Sequence, residues 1–266
     1  MIKVINSKFR DEYESNFPLG SLELKKSENR ESSKRWKNNI FPEKMFLVFQ
    51  RFLERKAKIQ NHFTFIDVGA AEGCYSCNVL RVFNKCSVLA FEPEKPRLEV
   101  MLENVRDYCS KYDLDENNFD FEIHEKIVSD GTEEILYLRH YVDPTTGGGA
   151  GSSTLVKKDR YLRNSIDVKY EAVCLDDFVD YYKKVDAIKI DVEGAELLVI
   201  KGATKFLNKL KPLIFLEVHG GENFGTVTLE DVKSEFKKIG VNYNFLLIEE
   251  HKNLKLFYYL AAPSKD

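Results

Sequence analysis

Five short apolar runs end in glycine or in charged and small polar residues, and they constrain this chain more than any other feature. They are FTFIDVG (63–69), SVLAFEP (87–93), FDFEIHEKIVS (119–129), VDAIKIDVEG (185–194) and PLIFLEVHGG (212–221). Four are followed by segments with helical spacing: YSCNVLRVFNK, KPRLEVMLENVRDYCSKY, AELLVIKGATKFLNKL and LEDVKSEFKKIG, the last stopping at Gly240 as a C-cap. Near-continuous apolar strands alternating with helices require a parallel sheet covered on both faces. NYNFLLIEE and KLFYYLAAP are separated only by a short polar link, so they pair antiparallel. The sequence therefore predicts an α/β fold with a seven-stranded, mostly parallel sheet, helices on both faces and an antiparallel C-terminal hairpin.

Two regions depart from this rhythm. Residues 1–38 are polar and charged and read as an arm or cap. A helix follows over 40–59, with Phe41, Met45, Val48, Phe49, Phe52 and Leu53 on one face and Pro42 in its first turn. Residues 1–60 are thus an N-terminal arm and helix, and residues 61–266 a single α/β domain. Trp36, the one tryptophan, packs the arm on the domain or on a second copy in a homodimer; the sequence leaves both open. In the middle, EEILYLRHY and DVKYEAVCL read as strands around DPTTGGGAGSSTLVKKDRYLRNS, which is a surface linker or a mobile loop beside a site.

Composition excludes several classes. A net charge of −3 leaves no basic field for nucleic acid. The N-terminus carries no signal-peptide pattern, and no run approaches the roughly 18 apolar residues of a membrane span. Five scattered cysteines do not form a secreted disulfide framework, so a cytoplasmic location is expected.

The turn after the first strand, TFIDVGAAEGCYS, has three claimants. A dinucleotide needs G-x-G-x-x-G, but here only Gly69 is in place, and Asp67 and Glu72 would repel a diphosphate. A redox dithiol would use Cys74 and Cys77, but the Asp-x-Gly-x-x-x-Gly frame is foreign to that fold, and small buried thiols explain the pair. S-adenosylmethionine carries a sulfonium and an ammonium but no phosphate, and it suits acids at the turn. A second acid should end the next strand to bind the ribose diol. Glu92 lies there, 23 residues after Gly69, close to the roughly 20 expected of a ribose-binding acid.

FIDVGAAEGCYS, FEPEKPRLEVMLENV, IKIDVEGAELLVIKGA and PLIFLEVHG, in that order over about 62–220, resemble the FkbM family of S-adenosylmethionine-dependent methyltransferases. The resemblance implies a class I methyltransferase (Rossmann-like) fold and O-methylation of a sugar or sugar-bearing small molecule. It implies that Asp67, Gly69, Ala70, Glu72 and Gly73, with Tyr75 and Ser76, line the methionine end of the cofactor. Glu92 and Pro93 would hold the ribose, residues 126–129 with Ile127 would frame the adenine, and Asp191 would also reach the cofactor.

Methyl transfer to a hydroxyl needs a base or a metal. Asp191 and Glu193 end one strand, and Glu217 and His219 another; the implied strand order makes these neighbours. His219 is the first candidate for general base, because its ordinary pKa lies near neutrality, and Asp191 is the second. Alternatively, the four residues ligate Mg²⁺ or Mn²⁺. Glu193, Glu217, Ser153, Thr154 and Tyr161 are candidate acceptor contacts. His62, His124, His140 and His251 read as ordinary surface or core histidines. The rival functions are a non-catalytic cofactor- or partner-binding protein of the same fold, an N-methyltransferase, and a thiol redox protein.

Overall fold

The computed structural model describes residues 1–5, 44–142, 149–155, 165–220 and 227–264. Its strands are β1 (Ile2–Ile5), β2 (His62–Val68), β3 (Lys85–Phe91), β4 (Phe119–His124), β5 (Ile127–Val128), β6 (Ile135–Val142), β7 (Gly149–Leu155), β8 (Ser165–Val173), β9 (Ala187–Ile190), β10 (Leu213–His219), β11 (Tyr243–His251) and β12 (Leu256–Pro263). The α-helices are α1 (Lys44–Ala57), α2 (Cys74–Val82), α3 (Lys95–Lys111), α4 (Glu196–Lys201), α5 (Thr204–Leu210) and α6 (Leu229–Lys238).

The main sheet has eight strands in the order β1-β4-β3-β2-β9-β10-β12-β11. Six strands run parallel, and β12 and β11 form the expected antiparallel end. The eighth strand is β1, which pairs Ile2–Ile5 with Phe121–His124. Its Ile2 and Val4 pack on the core, so the start of the chain belongs to the sheet. The short IKVI run gives no signal of its own, because four residues beside a polar stretch show no period.

The middle segment is a second correction. β5, β8, β6 and β7 form a separate four-stranded sheet. β7 lies within the glycine-rich stretch expected to be loop, and it pairs Thr154 with Arg139 and Ser153 with His140. Main-chain hydrogen bonds to β6 supply the pairing that small side chains cannot signal. Trp36, Phe41 and Tyr161 lie outside the described residues.

Both faces of the main sheet are covered. On β2, Phe63 and Phe65 face one cluster with Phe49, Tyr75 and Phe215, while Ile66 and Val68 face another with Ile188, Leu216 and Phe236. The period of two puts Asp67 on the side of Phe65, and Lys189 and Asp191 on the side of Ala187. Acidic and basic groups at the strand ends thus share one face.

At the start of α6, the Asp231 amide donates to Thr228 Oγ1 and the Thr228 amide to Asp231 Oδ2, a capping box. Thr228→Ala is expected to cost about 1 kcal/mol, a fall in Tm of about 2–4 °C by thermal unfolding.

Candidate active site

β2 is the switch point of the sheet. The chain runs outward from it to β3 and β4, and it later returns to its other side with β9. Ligands of open α/β sheets bind in the crevice at the carboxyl ends of such strands. A pocket of about 680 Å³, including its open mouth, lies there.

Of the residues named from sequence, Gly69, Glu92, Pro93, Ile127, Asp191 and Glu193 line this pocket. Ala71, Glu94, Arg97 and Leu138 also line it and were not named from sequence, and Lys126 lines it from the expected 126–129 stretch. Arg97 and Glu94 open a helix on a patterned segment, so their pocket role has no periodic signal. Arg97 Nε lies 3.4 Å from Glu94 Oε1, and this acid, with Glu92, raises the guanidinium pKa against the opposing effect of burial.

Asp67 is 1% exposed and lies beneath the turn, not in the pocket lining. Ser76 Oγ donates to it at 2.6 Å, and burial raises its pKa against the pull of Lys189. Tyr75 is a core side chain with its ring 4.9 Å from that of Phe49. Ala70 is buried and its amide donates to Phe91 O. Glu72 is half-buried, and its carbonyl accepts from Asn104. Asp67, Tyr75 and Ser76 therefore support the turn from below. The glycines are also explained by protein contacts: a Cβ on Gly69 would lie 1.8 Å from Asp191 O, and one on Gly73 would lie 2.6 Å from Met101 Cγ.

Glu92 is 5% exposed and accepts from the amides of Ala71 and Glu94, both at 2.8 Å. Burial, abetted by Glu94 and opposed by Arg97, pushes its pKa up to about 7. The second sheet closes this side of the pocket: Leu138 lines it, and buried His140 places Nδ1 3.4 Å from Glu94 Oε2.

Beside Glu193, His219 is held by carboxylates on three sides. Its Nδ1 is 2.8 Å from Glu196 Oε1, and its Nε2 is 3.3 Å from Glu193 Oε2 and 3.4 Å from Glu217 Oε1. Although burial opposes the charge, hydrogen bonds to Glu193 and Glu196 push the pKa up to about 11. With these carboxylates the imidazole favours its protonated form, a poor state for a general base. Glu196, fully buried, was not foreseen as its partner. Asp191 is held charged, its pKa lowered chiefly by Lys189 against burial. Asp191, Glu217 and His219 each offer a ligand atom, all within 4.8 Å of one another.

The profile of the Methyltransferase FkbM domain matches residues 67–245, from the first turn to β11. The chain belongs to the FkbM methyltransferase family. It is therefore an S-adenosylmethionine-dependent methyltransferase. Among solved structures, the FkbM chain is similar to a putative S-adenosyl-L-methionine-dependent methyltransferase from Methanococcus maripaludis (11% identity, 91% of this chain and 94% of that one, TM-score 0.45). It is also similar to a precorrin-6y C5,15-methyltransferase from Geobacter metallireducens (14%, 82% and 87%, 0.40) and to an rRNA methylase from Streptococcus thermophilus (12%, 81% and 94%, 0.42). No curated protein matches it.

The pocket of this FkbM domain suits its cofactor. Beside the cations Arg97 and Lys126, Glu92, Asp191 and Glu193 give it carboxylates that can accept from a ribose diol or face a cationic group. The thiols are free, and Cys77 is fully buried with its pKa raised well above the thiol range by burial, so it is a core residue and no thiolate nucleophile. Among the described residues, no helix is long and apolar enough to cross a membrane.

Proposed function

We propose that this enzyme methylates a hydroxyl of a small, sugar-bearing acceptor in the cytoplasm. The observation that carries the reading is the cluster of Asp191, Glu193, Glu217 and His219, of which Asp191 and Glu193 line the pocket. Bound S-adenosylmethionine would supply a methyl group on a sulfonium, an electrophile that needs an aligned oxygen and an acceptor for that oxygen's proton. Glu92, beside Pro93 and Ile127, accepts from the ribose hydroxyls. The turn of Gly69, Ala70, Glu72 and Gly73 receives the methionine end, with Asp67, Tyr75 and Ser76 beneath it and Asp191 beside it. Asp191, charged at neutrality, accepts from the acceptor hydroxyl, orients it and takes its proton as the oxygen–methyl bond forms and the sulfur–methyl bond breaks to leave a neutral thioether. Glu193 and Glu217 contact the acceptor.

A second reading adds a divalent cation, favoured by the convergence of Asp191, Glu217 and His219. Three carboxylates contact the His219 imidazole, and a proton on it or a metal ion would offset their charge, while Lys189 already pairs Asp191. Glu196 at Nδ1 is the partner that leaves Nε2 as ligand. The mixed nitrogen and oxygen donors suit Mn²⁺ better than Mg²⁺. The ion would supply a Lewis acid for the acceptor hydroxyl.

The test is methyl transfer from labelled S-adenosylmethionine to a panel of sugars and nucleotide sugars, with EDTA and with Mn²⁺ restored. Turnover that survives EDTA is expected from the first reading, and turnover lost in EDTA and regained with Mn²⁺ from the second; Asp191→Asn is expected to lower turnover about 100-fold. Transfer to amines alone would replace O- by N-methylation. Cofactor binding with no transfer to any acceptor would favour a binding protein.

A further inference from the structure

Lys189 interrupts the apolar strand β9, between Ile188 and Ile190, and is 6% exposed. Its neighbour in register on β2 is Asp67. A lysine is rarely buried unless it is paired. Its ammonium donates to the Gly69 carbonyl at 2.7 Å and lies 3.0 Å from Asp191 Oδ2 and 3.8 Å from Asp67 Oδ1. The ring of Tyr75 lies 5.4 Å away and closes the remaining side.

The partners belong to two different turns. Gly69 opens the turn after β2, and Asp191 opens the turn after β9; both line the pocket, whereas Lys189 does not. We infer that Lys189 is a positioning residue that locks these two turns together and aims the Asp191 carboxylate and the Gly69 backbone at the cofactor.

The alternative is an ion pair that merely stabilises the fold. Two features favour the positioning role. The ammonium spends its shortest hydrogen bond on a main-chain carbonyl, which fixes the path of the turn. It also reaches past its own register partner to Asp191, on the pocket wall. Burial opposes the charge on Lys189, but Asp191 and Asp67 more than offset it, so the ammonium stays protonated and is no candidate base.

This inference rests on the cofactor assignment, and a double-mutant cycle tests it. S-adenosylmethionine binding is measured by calorimetry on the wild type, Lys189→Met, Asp191→Asn and the double variant, with thermal unfolding of each. Lys189→Met is expected to weaken binding at least about tenfold, the scale of a lost hydrogen bond to a charged group. In the Asp191→Asn background the same change should cost clearly less, because the carboxylate it aims is gone. Equal losses in both backgrounds, or unchanged affinity in Lys189→Met, overturn the inference. If Lys189→Met does not fold, Asp67→Asn/Lys189→Met removes the buried cation together with one of its partners, and it takes the place of Lys189→Met throughout the cycle. A wild type that binds no S-adenosylmethionine overturns the cofactor assignment itself, a result distinct from the others.

Discussion

Gly69→Ala is expected to destabilise the protein by roughly 4 kcal/mol, a loss on the scale reached only by clashes and strain of this kind, which lowers Tm by about 10 °C. The residue sits at φ 76°, where a side chain is already disfavoured, and a Cβ would lie 1.8 Å from the Asp191 carbonyl. Neither turn can yield freely. The Gly69 amide donates to Phe91 O, its carbonyl accepts from Lys189, and the Asp191 amide donates to Val68 O. Gly240→Ala is the control: φ there is 77°, but nothing lies within 4 Å of its Cβ. It should cost only about 1–2 kcal/mol, the left-handed penalty. Urea or thermal unfolding of both variants separates clash from backbone strain, and equal losses would show that the approach of the two turns is not tight.

Glu92 carries the second large effect. Glu92→Ala should weaken S-adenosylmethionine binding about 100-fold or more, since two hydroxyl-to-carboxylate hydrogen bonds are lost at about 1.5–3 kcal/mol each. The pH dependence has a definite sign. In the free protein the carboxyl has a pKa of about 7, raised from the ordinary 4.5. Its protonated form therefore favours the fold below pH 4.5, and that contribution fades as pH rises through 7. The ribose hydroxyls donate to the ionised form, so binding has the opposite slope. Affinity should rise about tenfold from pH 6 to pH 8 and then level off, with Glu92→Gln flattening the profile. Calorimetry at several pH values reads this directly. A flat wild-type profile would mean that the ribose does not use Glu92 as acceptor.

Asp67 and Glu92 illustrate the limits of reading position from spacing. Both end parallel strands, and both read as cofactor acids. Glu92 lines the pocket, whereas Asp67 is sealed beneath it by Ser76 and Lys189. Spacing along a strand tells which face a residue takes, but not whether the next turn folds over it. His219 carries the same lesson for chemistry. Its place at a strand end was readable, but its charge state depends on Glu196 and Glu193, which arrive from the neighbouring turn and helix.

The sequence by itself determined the parallel α/β sheet, its antiparallel end, the α1 face and the cluster of acids at the strand ends. Those features are written in local periodicity, because a buried strand or an amphipathic helix must repeat its apolar residues at a set spacing. Only the tertiary structure decided that Ile2–Ile5 completes the sheet, that the glycine-rich segment supplies a strand of a second sheet, and that Lys189 joins two turns. Pairings between distant segments depend on main-chain hydrogen bonds and on charges that meet only when the chain closes, and neither leaves a period in the sequence.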